Sequence, residues 1–92
     1  MKIEFDPTKS ERNAQERGLP FDMLEEFDWE GAIYWEDLRF LYPERRMIGI
    51  GFIGARLHFV CFAQLADALR VISFRKANKK EIRRYEEAKA IH

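Results

Sequence analysis

The chain has ninety-two residues, enough for one compact domain with a modest core, and a single domain over residues 1–92 is expected. Sixteen Lys and Arg stand against sixteen Asp and Glu, which excludes the bulk basicity that holds nucleic acid by net charge alone. One cysteine excludes an internal disulfide, and no apolar run approaches the roughly 20 residues that span a bilayer.

Cys61 lies in the apolar run Phe59-Val60-Cys61-Phe62 and reads as a small buried hydrophobe. The first residues, Met1 to Asp6, carry no apolar signal region. These features predict a soluble protein of the reducing cytoplasm, with no membrane association.

In chain order, Lys2 to Phe5 alternates polar and apolar residues as a short strand does. Asp6-Pro7 predicts a helix start: Asp6 caps free amides and Pro7 suits the first helical position. Gly18 then ends the helix after Arg17. Leu19-Pro20 opens a second short helix whose Phe21, Leu24 and Phe27, spaced by three, form a core-facing stripe. Ala32 to Asp37 reads as extended, and Leu41-Tyr42-Pro43 as a loop. Arg46 to Ile53 and Arg56 to Phe62 read as a hairpin about Gly54-Ala55, with Arg70 to Arg75 as the last strand. Strands in succession on short connections predict an antiparallel meander.

Alternation along the last strand puts Arg70, Ile72 and Phe74 on one side and Val71, Ser73 and Arg75 on the other. Helices covering the Ile72/Phe74 side would leave Ser73 and Arg75 on an open face. Asn78 is an N-cap with Glu81 three residues on, a capping-box pattern. In the helix that follows, Ile82, Tyr85 and Ala88 share one stripe among Lys79, Lys80, Arg83 and Arg84. The fold class expected is α+β: a small antiparallel sheet with N-terminal helices and a C-terminal helix.

Neutrality hides an uneven distribution. Asp22 to Glu44 carries Asp22, Glu25, Glu26, Asp28, Glu30, Glu36, Asp37 and Glu44 against Arg39 alone. Arg70 to Lys89 carries Arg70, Arg75, Lys76, Lys79, Lys80, Arg83, Arg84 and Lys89 against Glu81, Glu86 and Glu87. Either the two regions are surfaces with different partners, or they face each other and cancel.

Three stretches resemble one known family, the BrnT-type toxins. "FDPTK", Asn13, the Arg17-Gly18 step and Pro20-Phe21 resemble the family's opening. "RMIGIG" at Arg46 to Gly51 resembles its Arg-Phe-x-x-Ile-Gly strand, and "RVISFRKANKKEIRRY" its closing signature of Arg-Ile-Ile-Ser-Ala-Arg-Lys-Ala followed by Glu and Tyr. The resemblance covers nearly the whole chain in order. Arg17 stands where the family usually has His, Phe74 where Ala is common, and Val60-Cys61-Phe62-Ala63 where Val-x-His-Thr or Val-x-Tyr-Thr often occurs. The resemblance implies a RelE-like fold and an endoribonuclease toxin of a type II toxin–antitoxin pair, cutting RNA, chiefly mRNA, and so inhibiting translation and growth. It implies neutralisation by a BrnA-type antitoxin of the ribbon-helix-helix kind, with DNA bound only indirectly through that antitoxin. The alternative is a non-catalytic RNA- or antitoxin-binding module, a decayed toxin.

RNA cleavage without a metal requires removal of the ribose 2′-OH proton, stabilisation of the charge at phosphorus, and a proton for the 5′-oxygen. Arg75, ending a strand just before a helix N-terminus, is the first candidate phosphate clamp, its alternative being a surface ion pair with Glu81 or an acid of the chain's middle. Arg46 is the second, its alternative a pair with Glu44 or Glu36, and Lys76 and Lys9 follow. Tyr85 either packs in the core or assists proton transfer or stacking. His58 is either a general base or a satisfied sheet histidine. Lys79, Lys80, Arg83 and Arg84 form a candidate phosphate track, with a solvated helix or a docking face for an acidic antitoxin segment as the alternatives. Arg70, expected opposite Arg75, is read as structural or engaged with the acidic middle, and His92 is given no role. No cofactor is expected: one Cys and two His show no metal-ligand spacing, and no Gly-rich phosphate loop precedes a helix.

Overall fold

The computed structural model describes residues 2–90; His92 lies outside them. Strand β1 (Lys2–Glu4) leads into helix α1 (Pro7–Arg17) and a 3₁₀ helix (Phe21–Glu26). Then come β2 (Ile33–Glu36), β3 (Arg46–Ile53), β4 (Arg56–Gln64), β5 (Ala68–Lys76) and α2 (Lys79–Ala90). One five-stranded sheet is ordered β1-β5-β4-β3-β2.

The α+β class is as the sequence predicts, and β2 to β5 form the antiparallel meander. The sheet as a whole is mixed, because β1 pairs parallel to β5, with Ile3 beside Leu69. A three-residue strand has too little alternation to announce its partner; its place beside β5 is decided by tertiary packing.

Both ends of α1 follow from local chemistry. Asp6 accepts a hydrogen bond from the Thr8 amide at 2.9 Å, and Pro7 takes the first turn. Gly18 adopts φ 71°, a left-handed conformation nearly free of cost only for glycine, and its amide bonds to the Ala14 carbonyl. The Phe21/Leu24/Phe27 stripe lies on and just after a 3₁₀ helix, whose three residues per turn match that spacing.

Each sheet face carries its own core. The 3₁₀ helix covers one face, where Leu24 and Phe27 pack on Val60, Phe62, Val71 and Phe74. Gly51 is needed beneath it, since a Cβ there would meet the Phe27 ring at 2.7 Å. The other face builds a core from Ile48, Ile50, Leu57, Phe59 and Cys61, partly covered by Ile82 and Tyr85 of α2.

Strand β5 departs from the predicted alternation. Cys61 pairs with Ser73 but Phe62 pairs with Val71, so Ile72 is an extra residue, a β-bulge. The bulge moves Val71 onto the face of Phe74 and turns Arg70, opposite Ala63, onto the face of Arg75, opposite Phe59. The expected opposition of Arg70 and Arg75 is thereby overturned. Ile72 leaves the Phe74 face and packs with the second core. The Ser73/Arg75 face is not fully open either, because α2 lies across part of it.

Candidate functional site

The α2-bearing face presents three arginines, each stacked on an aromatic ring. Arg75 lies 3.9 Å above Phe59, Arg84 3.8 Å above Trp35, and Arg46 4.1 Å above Tyr42. The rings hold each guanidinium plane and leave its edge free to donate.

Arg75 comes from the end of β5 and meets the first turn of α2. Its Nη1 and Nη2 donate to the two oxygens of Glu81 at 2.8 and 2.9 Å. Nη1 also donates to the Lys76 carbonyl. The Nε edge of the fork has no protein acceptor among the described residues, and 29% of the side chain remains exposed.

Glu81 serves two structures at once. Its Oε1 accepts from the Asn78 amide while the Asn78 side chain accepts from the Glu81 amide, both at 2.9 Å, which is the predicted capping box. Burial pushes its carboxyl up, but the Arg75 fork and the Asn78 amide outweigh that and hold it below the usual carboxylate range. It lines a cleft of about 480 Å³ with Lys80, Arg83, Arg84 and Trp35.

Arg46 sits at the far end of this face, opposite Ala63 on β4 and thus in line with Arg70. It pairs with Glu44 at 3.3 Å. Its ring support is fixed by Asp37, which sequence reading left without a role. Asp37 accepts from the Arg39 guanidinium at 2.9 Å and from the Tyr42 hydroxyl at 3.0 Å. Those partners hold the carboxyl far below its ordinary range. The loop they brace leaves Leu38, Phe40 and Leu41 exposed.

Of the other candidates, His58, Tyr85 and Lys9 line neither the α2 cleft nor the recess of Arg75. His58 faces the opposite side, buried against Phe74, its Nδ1 2.9 Å from the Arg56 carbonyl oxygen. Burial holds its pKa below the ordinary value. Tyr85 packs edge-on against Phe52, its hydroxyl 3.5 Å from the Gly31 carbonyl. Lys76 opposes His58 across the strands, and with Arg75 and Arg17 it lines a shallow recess of about 230 Å³ at the end of β5. Lys9 lines a separate recess of about 150 Å³ between α1 and β5, with Arg12, Arg17 and Ser73. Of the α2 cations, Lys80, Arg83 and Arg84 line the cleft and Lys79 does not.

Sequence reading missed Trp35, Asp37 and the cleft role of Glu81. The only signals were a tryptophan on a strand and a capping glutamate six residues after an arginine.

The acidic middle does not neutralise the basic end. Among the described residues each ion pair is local in sequence: Arg39–Asp37, Arg45–Glu36, Arg46–Glu44 and Arg75–Glu81. Nor do the described residues gather three His, Cys, Asp or Glu side chains able to hold a metal, and none of their helices is long and apolar enough to cross a membrane.

These features define a small α+β protein whose α2-bearing sheet face carries Arg46, Arg70 and Arg75, with Lys80, Arg83 and Arg84 on α2. Residues 5–81 match the family described as "Ribonuclease toxin, BrnT, of type II toxin-antitoxin system", and the chain belongs to that family. Its membership implies RNA as substrate and an antitoxin as partner. No curated protein matches the chain.

Proposed function

We propose that this chain is a metal-independent endoribonuclease that cuts single-stranded RNA, chiefly mRNA, in the cytoplasm and so inhibits translation and growth. A BrnA-type antitoxin of the ribbon-helix-helix kind neutralises it, and DNA is reached only through that antitoxin. The observation that carries the reading is the Arg75 fork, stacked on Phe59 with its Nε edge unpartnered, whose partner Glu81 lines a cleft with Lys80, Arg83 and Arg84.

A phosphodiester on that edge receives two parallel N–H donors, the geometry an arginine fork matches best. Lys80, Arg83 and Arg84 neutralise neighbouring phosphates, and Trp35 offers a ring for a base once Arg84 shifts to a phosphate. Arg46 and Arg70 extend the cationic face along the strand. The developing charge at phosphorus is thus met by guanidinium and ammonium groups, each donor contributing about 2–4 kcal/mol when aimed at that charge.

The test is incubation of the purified chain with a long single-stranded RNA in EDTA, beside Arg75→Ala. Cleavage by the wild type that is lost in the variant supports the reading. Cleavage by both moves the site away from Arg75. RNA retained but uncut by the wild type favours a non-catalytic binding module.

A further inference from the structure

The clamp and the track meet the charge at phosphorus but leave both proton transfers open, the first being removal of the proton from the attacking 2′-OH. His58 lies on the opposite face of the sheet. Asp37 is buried and occupied by Arg39 and Tyr42. The Tyr85 hydroxyl is directed toward the Gly31 carbonyl. Glu81 lines the cleft itself, and it shares the guanidinium of the candidate phosphate clamp.

We propose that the Glu81 carboxylate is the general base of the cleavage reaction, accepting the 2′-OH proton of a ribose whose phosphate rests on the Nε edge of Arg75. This inference rests on the nuclease reading above.

The two oxygens of Glu81 are not equivalent. Oε1 accepts from both Arg75 and the Asn78 amide, whereas Oε2 accepts from Arg75 alone among the described residues. Oε2 therefore keeps a lone pair. The end-on edge of the Arg75 fork holds the base and the side-on edge is left for the substrate, so one planar group sets the distance between them. Around the carboxylate stand Arg75 from β5, Trp35 from β2, and Lys80, Arg83, Arg84 and Glu87 from α2. The Arg75 fork and the Asn78 amide hold it in the ionised form that can accept.

The step balances as a transesterification. Oε2 takes the 2′-OH proton, the O2′–P bond forms, and the P–O5′ bond breaks. The departing O5′ takes a proton from water, and Glu81 later returns its own to water. The products are a 2′,3′-cyclic phosphate and a free 5′-OH.

The experiment compares wild type, Glu81→Gln and Glu81→Asp on the same RNA in EDTA, with rates followed from neutral to acid pH and product ends identified. Gln preserves the capping box and an acceptor for Arg75 but cannot take the proton. Glu81→Gln should stay folded at the assay temperature and bind RNA, with Tm lowered by the loss of half of the Arg75 ion pair, yet cut about a hundredfold more slowly or worse. Its rate should lose the acid limb seen in the wild type, whereas Glu81→Asp should keep that limb. Glu81→Gln cutting at the wild-type rate with the limb intact overturns Glu81 as base and leaves the nuclease reading standing. A wild type that does not cut the RNA overturns both, and one that cuts but leaves 3′-OH ends overturns the Glu81 step alone.

Discussion

Asn13 ties the helical layer to the edge of the sheet, and its removal gives the sharpest test of how the fold is held. Its Nδ2 donates to the Leu19 carbonyl at 2.7 Å and to the Phe74 carbonyl at 2.9 Å, joining the end of α1 to the strand that carries Arg75. At about 1 kcal/mol per net hydrogen bond, Asn13→Ala should cost about 2 kcal/mol, less about 0.5 kcal/mol returned by alanine's better helix propensity. For a domain of this size that is a fall in Tm of about 6–12 °C. Asn13→Asp replaces two donors with a half-buried carboxylate facing two carbonyl oxygens, which at pH 7 should cost about 2–3 kcal/mol, more than the alanine variant, with Lys9, Arg12 and Arg17 of the same recess offsetting part of the charge. The folded-state pKa of that carboxyl is raised, because the protonated form alone can donate. Its stability is therefore recovered as pH falls toward the folded pKa and is lost as pH rises through it. Thermal unfolding followed by circular dichroism at pH 7 and pH 5 measures both variants. Equal Tm values for the two at pH 7 would refute the account of Asn13 as a double donor.

Two further expectations can be checked on the same protein. Lys80→Glu, which alters the cleft wall, should weaken single-stranded RNA binding and flatten its salt dependence by about 0.7 per lost phosphate contact, while Lys79→Glu should do markedly less; equal effects in binding titrations at several salt concentrations would remove the cleft from the track. His58, neutral and buried, has a folded pKa below its unfolded value of about 6.5, so stability should fall as pH drops below that value by at most about 1.4 kcal/mol per unit. Glu81 and Asp37, with lowered folded pKa values, contribute only further into acid, so denaturant melts between pH 6.5 and 5.5 should show a shallower slope for His58→Gln than for wild type.

What could be read from sequence was whatever local chemistry decides. Asp6-Pro7, Gly18 and the Asn78/Glu81 box set the bounds or start of both α-helices because each acts within four residues of itself. The Gly54-Ala55 turn is likewise a short-range device. Long-range pairing was not legible: β1 carries nothing that specifies a parallel neighbour sixty-odd residues away. The same limit applies to the candidate site. Arg75 could be singled out as a strand-terminal cation, but its stacking on Phe59 depends on a cross-strand register no periodicity reveals. Asp37 looked like one acid among many because its partners Arg39 and Tyr42 lie in a loop, where no repeat fixes side-chain direction. His58 was open to two readings because alternation gives the face of a residue only relative to its own strand, not which face the helices will cover.

The extra residue in β5 works as a change of parity. Strict alternation over the nine residues of β5 would have set Leu69 and Val71 on the side of Arg75, and Arg70 on the side of Phe74. With Ile72 inserted, the apolar residues Leu69, Val71 and Phe74 stay in a single core while Arg70 and Arg75, five positions apart, share the opposite surface. Five is an odd number, and only a counted-in extra residue lets an odd interval return to the same side. The spacing between these two arginines is therefore no longer free: one more or one fewer residue between them would drive a guanidinium into the phenylalanines beneath the 3₁₀ helix.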